Sequence, residues 1–247
     1  MSRLSVELKY SNGRTVVSDS YFSAPFKLVS PFYDEDYAKL MIMTASAGIM
    51  KGDFYDINIH SLPDTNALIT DQSYAKIFNT RDGFAAQRLN IELEENAELI
   101  WIPKPVIPFE NSSFKADAAI SIKENSKLVI SEILACGRIG MGESFKFSFY
   151  KSRTAVSIGG KPVFLDNTRL CNGEADFSGI GFFENFTHIG FIYFHGYEKP
   201  EIISNKEISA FVTQAKCGYV VRLMGNSADK LYKYAVDLVL RTRQKGN

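Results

Sequence analysis

Four short segments set charged residues beside glycine or small polar residues within otherwise apolar stretches. They are Lys51-Gly52-Asp53, Thr70-Asp71-Gln72 with Lys76, Ser131-Glu132 leading to Cys136-Gly137-Arg138, and Gly142-Glu143. Asp and Glu are rarely fully buried without a partner, so such placements point to ion pairs, a water-filled cavity or a ligand site. Pairing with Lys51, Lys76 or Arg138 is the structural option, and such pairs are common in β proteins. Two carboxylates at a suitable separation can instead hydrolyse a glycoside, with Glu132 as acid and Glu143 as nucleophile. That separation is set by the fold and not by spacing along the chain.

Other chemistries lack their residues. His60, His188 and His195 do not cluster, and a spacing of seven suits no metal site, so each reads as a surface or satisfied interior histidine. Cys136, Cys171 and Cys217 are odd in number and far apart, which disfavours a disulfide framework and a sequence-local zinc site. No nucleophile elbow, H-E-x-x-H, P-loop or dinucleotide fingerprint is present, which argues against nucleotide chemistry. The 28 basic and 28 acidic residues cancel, which argues against nucleic acid as a partner. The opening MSRLSVELKY has no continuous apolar run, and no apolar stretch nears the roughly 20 residues that span a bilayer. A reducing cytoplasm is the expected compartment.

The elements that must position these residues read as β. Apolar residues make up 45% and aromatics 13% of the chain, a mix suited to pleated, half-buried surfaces. Asn12-Gly13 between two alternating runs predicts an opening hairpin with a type I′ turn. Leu89, Ile91 and Leu93, and later Phe145, Phe147 and Phe149, alternate with polar residues as strands with one wet face do. The segment from Ile91 to Leu99 (IELEENAEL) returns from Ile120 to Leu128 (ISIKENSKL), and Ile57-Asn58-Ile59 leading to Asn66-Ala67-Leu68 is a looser copy. A period of about 30 residues suits stacked strand layers, each copy being strand, tight turn, strand.

Prolines from Trp101 to Phe109 predict a segment that leaves the sheet, because proline cannot donate to the ladder. Leu231, Tyr234, Ala235, Leu238 and Val239 follow helical spacing, with Asn226 or Ser227 as N-cap and Asp229 in the first turn. The basic Arg241, Arg243 and Lys245 complement that helix's C-terminal dipole. Short helices near Glu201 to Val212 and Asp34 to Leu40 are further expectations. Glycines between Cys171 and Gly190 mark a loop, and with no low-complexity linker the chain reads as a single domain.

The charged segments are also where the sequence resembles the UreD/UreH family of urease accessory proteins. Ala45 to Asp53 (ASAGIMKGD) is similar to its S-P-G-G-hydrophobic-x-x-G-D block, with Ala47 and Lys51 as departures. Thr70 to Phe78 (TDQSYAKIF) is similar to T-x-Q-x-x-x-K-aromatic, which makes Gln72 and Lys76 family-motif residues. Trp101 to Phe109 matches P-x-P-x-I-P-F, and Val220-Val221-Arg222-Leu223-Met224 resembles the V-R-x-L block. Glu132 to Phe145 matches E-I-x-x-x-G-R-x-x-x-G-E-x-F, which places Arg138 and Glu143. Order and spacing hold across nearly the whole chain.

The resemblance implies a mainly β fold like a flattened β-helix with a C-terminal amphipathic helix, one UreD-like domain over residues 1–247. It implies a scaffold, not an enzyme, that docks on apo-urease and on UreF in a 2:2 assembly. UreF recruits the GTPase UreG carrying nickel, and the metal passes in transit through a tunnel. A passing divalent ion needs polar atoms and water that hold it weakly, so no high-affinity metal site is expected. Asp53, Glu132, Glu143 and Asp166 fall on acidic family positions, with Asp53 and Asp166 as the leading tunnel-lining residues and Lys51 as a potential partner of Asp53. The aromatic-rich, nearly neutral chain also fits an obligate partner that covers apolar surface.

Overall fold

The structure, a computed structural model, describes residues 1–34, 37–203 and 205–245. β1 (Ser2–Ser11) and β2 (Arg14–Phe22) form the opening hairpin, and Asn12 and Gly13 take the positive φ values of +52° and +80° that its turn requires. β3 (Phe26–Leu28), β4 (Phe32–Asp34) and β5 (Tyr37–Thr44) follow. The repeat then unfolds as three strand–turn–strand units. The first is β6 (Phe54–Ser61) with β7 (Asn66–Asp71), followed by the short β8 (Ala75–Ile77). The second is β9 (Ala85–Leu93) with β10 (Glu98–Trp101), followed by β11 (Val106–Pro108). The third is β12 (Ser113–Ile122) with β13 (Lys127–Ala135).

Like strands of successive units pair in parallel and in register. Ile59, Ile91 and Ile120 lie side by side in one sheet, and Ala67, Leu99 and Leu128 in the other. Each unit can bury its apolar face only against its neighbours and the opposite layer, and this gives a flattened β-helix. The turns stack as well. Asn96 Nδ2 donates to Asp64 Oδ1 at 2.9 Å and Asn125 Nδ2 donates to Asn96 Oδ1 at 2.6 Å, with Asp64 and Asn96 in the left-handed region. Asn96→Ala loses both bonds and strains that backbone, so a loss of about 1–2 kcal/mol is expected in urea denaturation. Asn96→Gly should recover the backbone part; equal stability of the alanine variant would show that the ladder contributes nothing.

β14 (Phe149–Ile158) and β15 (Lys161–Cys171) complete the first sheet, ordered β15-β14-β12-β9-β6-β1-β2. β16 (His188–His195), β17 (Ile208–Ala215) and β18 (Gly218–Gly225) extend the second antiparallel, in the order β17-β18-β16-β13-β10-β7-β5-β3. The core lies between the two layers. A second cluster, with Val129, Ile192, Val221 and Leu223, packs the outer face of the second sheet under α1 (Ala228–Lys245) through Leu231, Ala235 and Leu238. Ser227 is the N-cap, its Oγ accepting from Lys230 N at 3.4 Å, whereas Asn226 Oδ1 accepts from Thr187 N.

Four expectations change. Residues 145–148 precede β14 rather than forming a strand, because Phe145 takes φ +55° and its ring packs against Phe183 and Phe177. The helix expected near Glu201–Val212 is replaced from Ile208 by β17, whose pairing with β18 outweighs local propensity. The helical turn expected over Asp34–Leu40 lies partly outside the described residues, and the described parts belong to β4 and β5. The proline-rich segment leaves the ladder after Trp101 but re-enters it as β11 between β8 and β13.

Candidate functional site

The inward positions of the first sheet are large and apolar in one half of the stack and small or polar in the other. Tyr55, Gln87, Ala116, Ser152 and Thr168 form one row across it, and Ile57, Leu89, Ala118, Thr154 and Asp166 the next. Opposite them the second sheet presents Glu132, Phe191, Arg222 and Phe211 in one row. Alanine, serine and threonine in place of leucine or isoleucine leave the layers unable to close. A cavity of about 230 Å³ remains between them, lined by Asp71, Gln87, Ala116, Glu132, Tyr150 and Ser152 among others. A second cavity of about 270 Å³ lies on the β16–β18 side, lined by Glu132, Thr168, Phe182, Phe211 and Arg222 among others. Among the described residues, Glu132 alone lines both.

Glu132 is held from both oxygens. Ser152 Oγ donates to Oε2 at 2.5 Å and Tyr150 OH donates to Oε1 at 3.1 Å. Burial pushes its carboxyl pKa up, the two hydrogen bonds pull part of the way back, and nearby Asp166 adds to the rise while Arg222 opposes it. Tyr150 keeps its proton, since burial and the adjacent Glu132 both push its pKa up. Asp166, 6% exposed, is paired with Arg222 across the interlayer and itself lines neither cavity. The buried hydroxyls of Tyr55 and Ser131, both residues of the first cavity's lining, have no protein partner, as groups that meet water in a polar cavity do not need one.

The remaining sequence candidates lie elsewhere. Asp53 closes a turn, its Oδ2 accepting from Met50 N at 2.8 Å, and it lines neither cavity; Lys51 pairs with Asp82 instead. Glu143 is gripped by Arg138, whose Nε donates to Oε2 at 2.8 Å, and it accepts from Glu110 N at 3.0 Å. The Arg138 guanidinium beside it holds its pKa below the usual carboxylate range. Arg138 in turn lies over the Phe109 ring at 4.0 Å. This clamp fixes the loop after β13 against the proline-rich segment. Gly137 is required there: at φ +145° a Cβ would lie 2.3 Å from the Glu143 carbonyl oxygen. Gln72 and Lys76 are exposed, and Lys76 stands between the first cavity and an outer groove that Arg138 also lines. Glu132 and Glu143 share no cavity among the described residues, so the paired-carboxylate arrangement of a glycosidase is not assembled.

Asp71, one of the charged residues beside small polar neighbours, lines the first cavity at the end of β7. Burial pushes its pKa from 3.8 to about 7. The folded state therefore holds this proton where the unfolded chain has released it. The associated stabilisation is full below about pH 4 and is lost as pH rises through 7. Asp71→Asn should abolish this fall, so the variant gains on wild type between pH 5 and pH 8 in urea midpoints; parallel profiles would show an unperturbed carboxyl. The structure adds Tyr150, Ser152, Thr154 and Arg222 to the site. Their sequence signal was polar residues at the inward phase of strands, readable only once the phase is known.

A flattened β-helix with two cavities between its layers that share the half-buried Glu132 defines a β-solenoid with an incompletely filled interior. The family model for the UreD urease accessory protein matches residues 1–247. Among curated relatives, a urease accessory protein UreD of Acetivibrio thermocellus is 37% identical over 242 residues, 93% of this chain and 92% of the relative. A urease accessory protein UreH of Helicobacter hepaticus is 33% identical, covering 93% of each chain. One of Helicobacter pylori is 40% identical over 189 residues, 76% of this chain and 71% of the relative. The chain belongs to the UreD/UreH family of urease accessory proteins. No described helix is long and apolar enough to cross a membrane.

Proposed function

We propose that this chain is a non-catalytic, cytoplasmic scaffold and nickel conduit for urease maturation, working as one domain. It binds apo-urease and UreF, pairs with UreF in a 2:2 assembly, and supports UreG-dependent nickel insertion. Nickel crosses between the two sheets by way of Glu132. The observation that carries this reading is that one half-buried carboxylate, Glu132, lines both interlayer cavities.

The physical reasoning favours transit over storage. No group of three or more His, Cys, Asp or Glu residues that could hold a metal exists among the described residues. A single carboxylate with hydroxyls and water around it holds a divalent ion weakly enough to release it, whereas a closed ligand cage would trap it. Asp166 stands beside Glu132 and modulates it, while Asp53 and Glu143 act in loop architecture. The test is co-expression with UreF, UreG and apo-urease, followed by nickel addition and assay of urea hydrolysis. Activity that depends on this chain is the expected result; equal activity without it would remove the maturation role.

A further inference from the structure

Arg222 is the only cation lining the outer of the two cavities, and Glu132 its only carboxylate, among the described residues. The two stand in one cross-strand row, separated by Phe191. An ion moving from that cavity to Glu132 therefore passes a permanent positive charge. The guanidinium is tied to Asp166, whose carboxylate is buried, while the Arg222 side chain itself is 54% exposed towards the outside. It thus has a buried partner to hold and open space to move into. The guanidinium already lies 5.7 Å from the centre of the Phe191 ring, an aromatic face on which it can rest when released.

We propose that Arg222 is the gate of this passage: it is the resident counter-cation of Asp166, and a divalent cation passes by displacing it. The inference rests on the conduit reading. Arg222 keeps Asp166 satisfied when no metal is present, and its departure leaves that carboxylate open to the incoming ion. The exchange replaces a monovalent by a divalent cation beside the same carboxylate, so Asp166 is not left buried and unpaired during passage. The tie to Asp166 also keeps the empty passage from capturing a cation permanently.

Ni²⁺ alone, titrated by calorimetry into the full-length chain at one fixed pH, tests this. Arg222→Gln is expected to bind Ni²⁺ roughly tenfold more tightly than wild type, or about 1.4 kcal/mol. Arg222→Lys, which keeps a cation beside Asp166, should bind as wild type does. The Arg222→Gln, Asp166→Asn double variant should lose the gain. Arg222→Met keeps the stem against Phe191 and carries the same expectation if the glutamine variant melts early in circular dichroism. Unchanged binding in the glutamine and methionine variants overturns the gate, as does a gain that survives loss of Asp166. If Glu132→Gln still blocks urease activation in that case, only the gate falls; if Glu132→Gln activates normally, the conduit reading falls with it.

Discussion

Replacing Glu132 by glutamine is expected to lower nickel-dependent urease activation roughly tenfold or more, the factor carried by about 1.4 kcal/mol of lost cation stabilisation. The fold should persist. Glutamine is isosteric, keeps a carbonyl oxygen for the Ser152 hydroxyl, and removes the cost of a carboxylate whose pKa burial pushes up. Stability should therefore stay within roughly 1 kcal/mol of wild type while activation collapses. Glu132→Asp keeps the charge but withdraws it from Tyr150 and Ser152, and should fall between the two. The measurement is urea hydrolysis after nickel addition in cells expressing each variant, with soluble protein quantified alongside. Wild-type activation by Glu132→Gln at equal protein level would show that the metal takes another route.

Leu99→Ala should be the most damaging single change to the stack itself. Leu99 is fully buried and sits between Ala67 and Leu128 in the second sheet, at the middle of the three repeating units. Its β-strand neighbours are held in parallel register on both sides, so the site cannot collapse into the space left behind. The expected loss is about 2–5 kcal/mol in urea denaturation, and roughly 10 °C in melting temperature for a chain of this size. Leu165→Ala serves as the control, because Leu165 is 59% exposed on β15 and should change stability by no more than about 0.5 kcal/mol. A loss below about 1 kcal/mol at Leu99 would mean that the units are not held by their shared interior.

The fold was legible where a pattern is local and repeated. Asn12-Gly13 set its own turn, the Ile91–Leu99 and Ile120–Leu128 copies became adjacent coils, and the spacing of Leu231, Ala235 and Leu238 gave the helix. Alternation failed at Phe145–Phe149, where aromatic packing against Phe177 and Phe183 outweighs period two. The helix expectation after Glu201 also failed, because β18 offers the partner strand that makes β17. In both cases the deciding partners are distant in sequence.

The β class, the stacked repeat, the C-terminal helix and membership of the urease accessory family are all legible in the chain, because each rests on local patterns or on an ordered series of short motifs. The sequence also marked Glu132 as a carboxylate in unusual company, and the family resemblance added Asp166. Which side chains each carboxylate meets follows from the tertiary structure alone. Registers that bring Glu132, Ser152, Asp166 and Arg222 across the two layers join segments up to 90 residues apart, as from Glu132 to Arg222. A strand's phase decides which of its residues face inward, and phase is fixed by pairing. The same pairing turned Glu143 towards Arg138 and left Asp53 to close a turn.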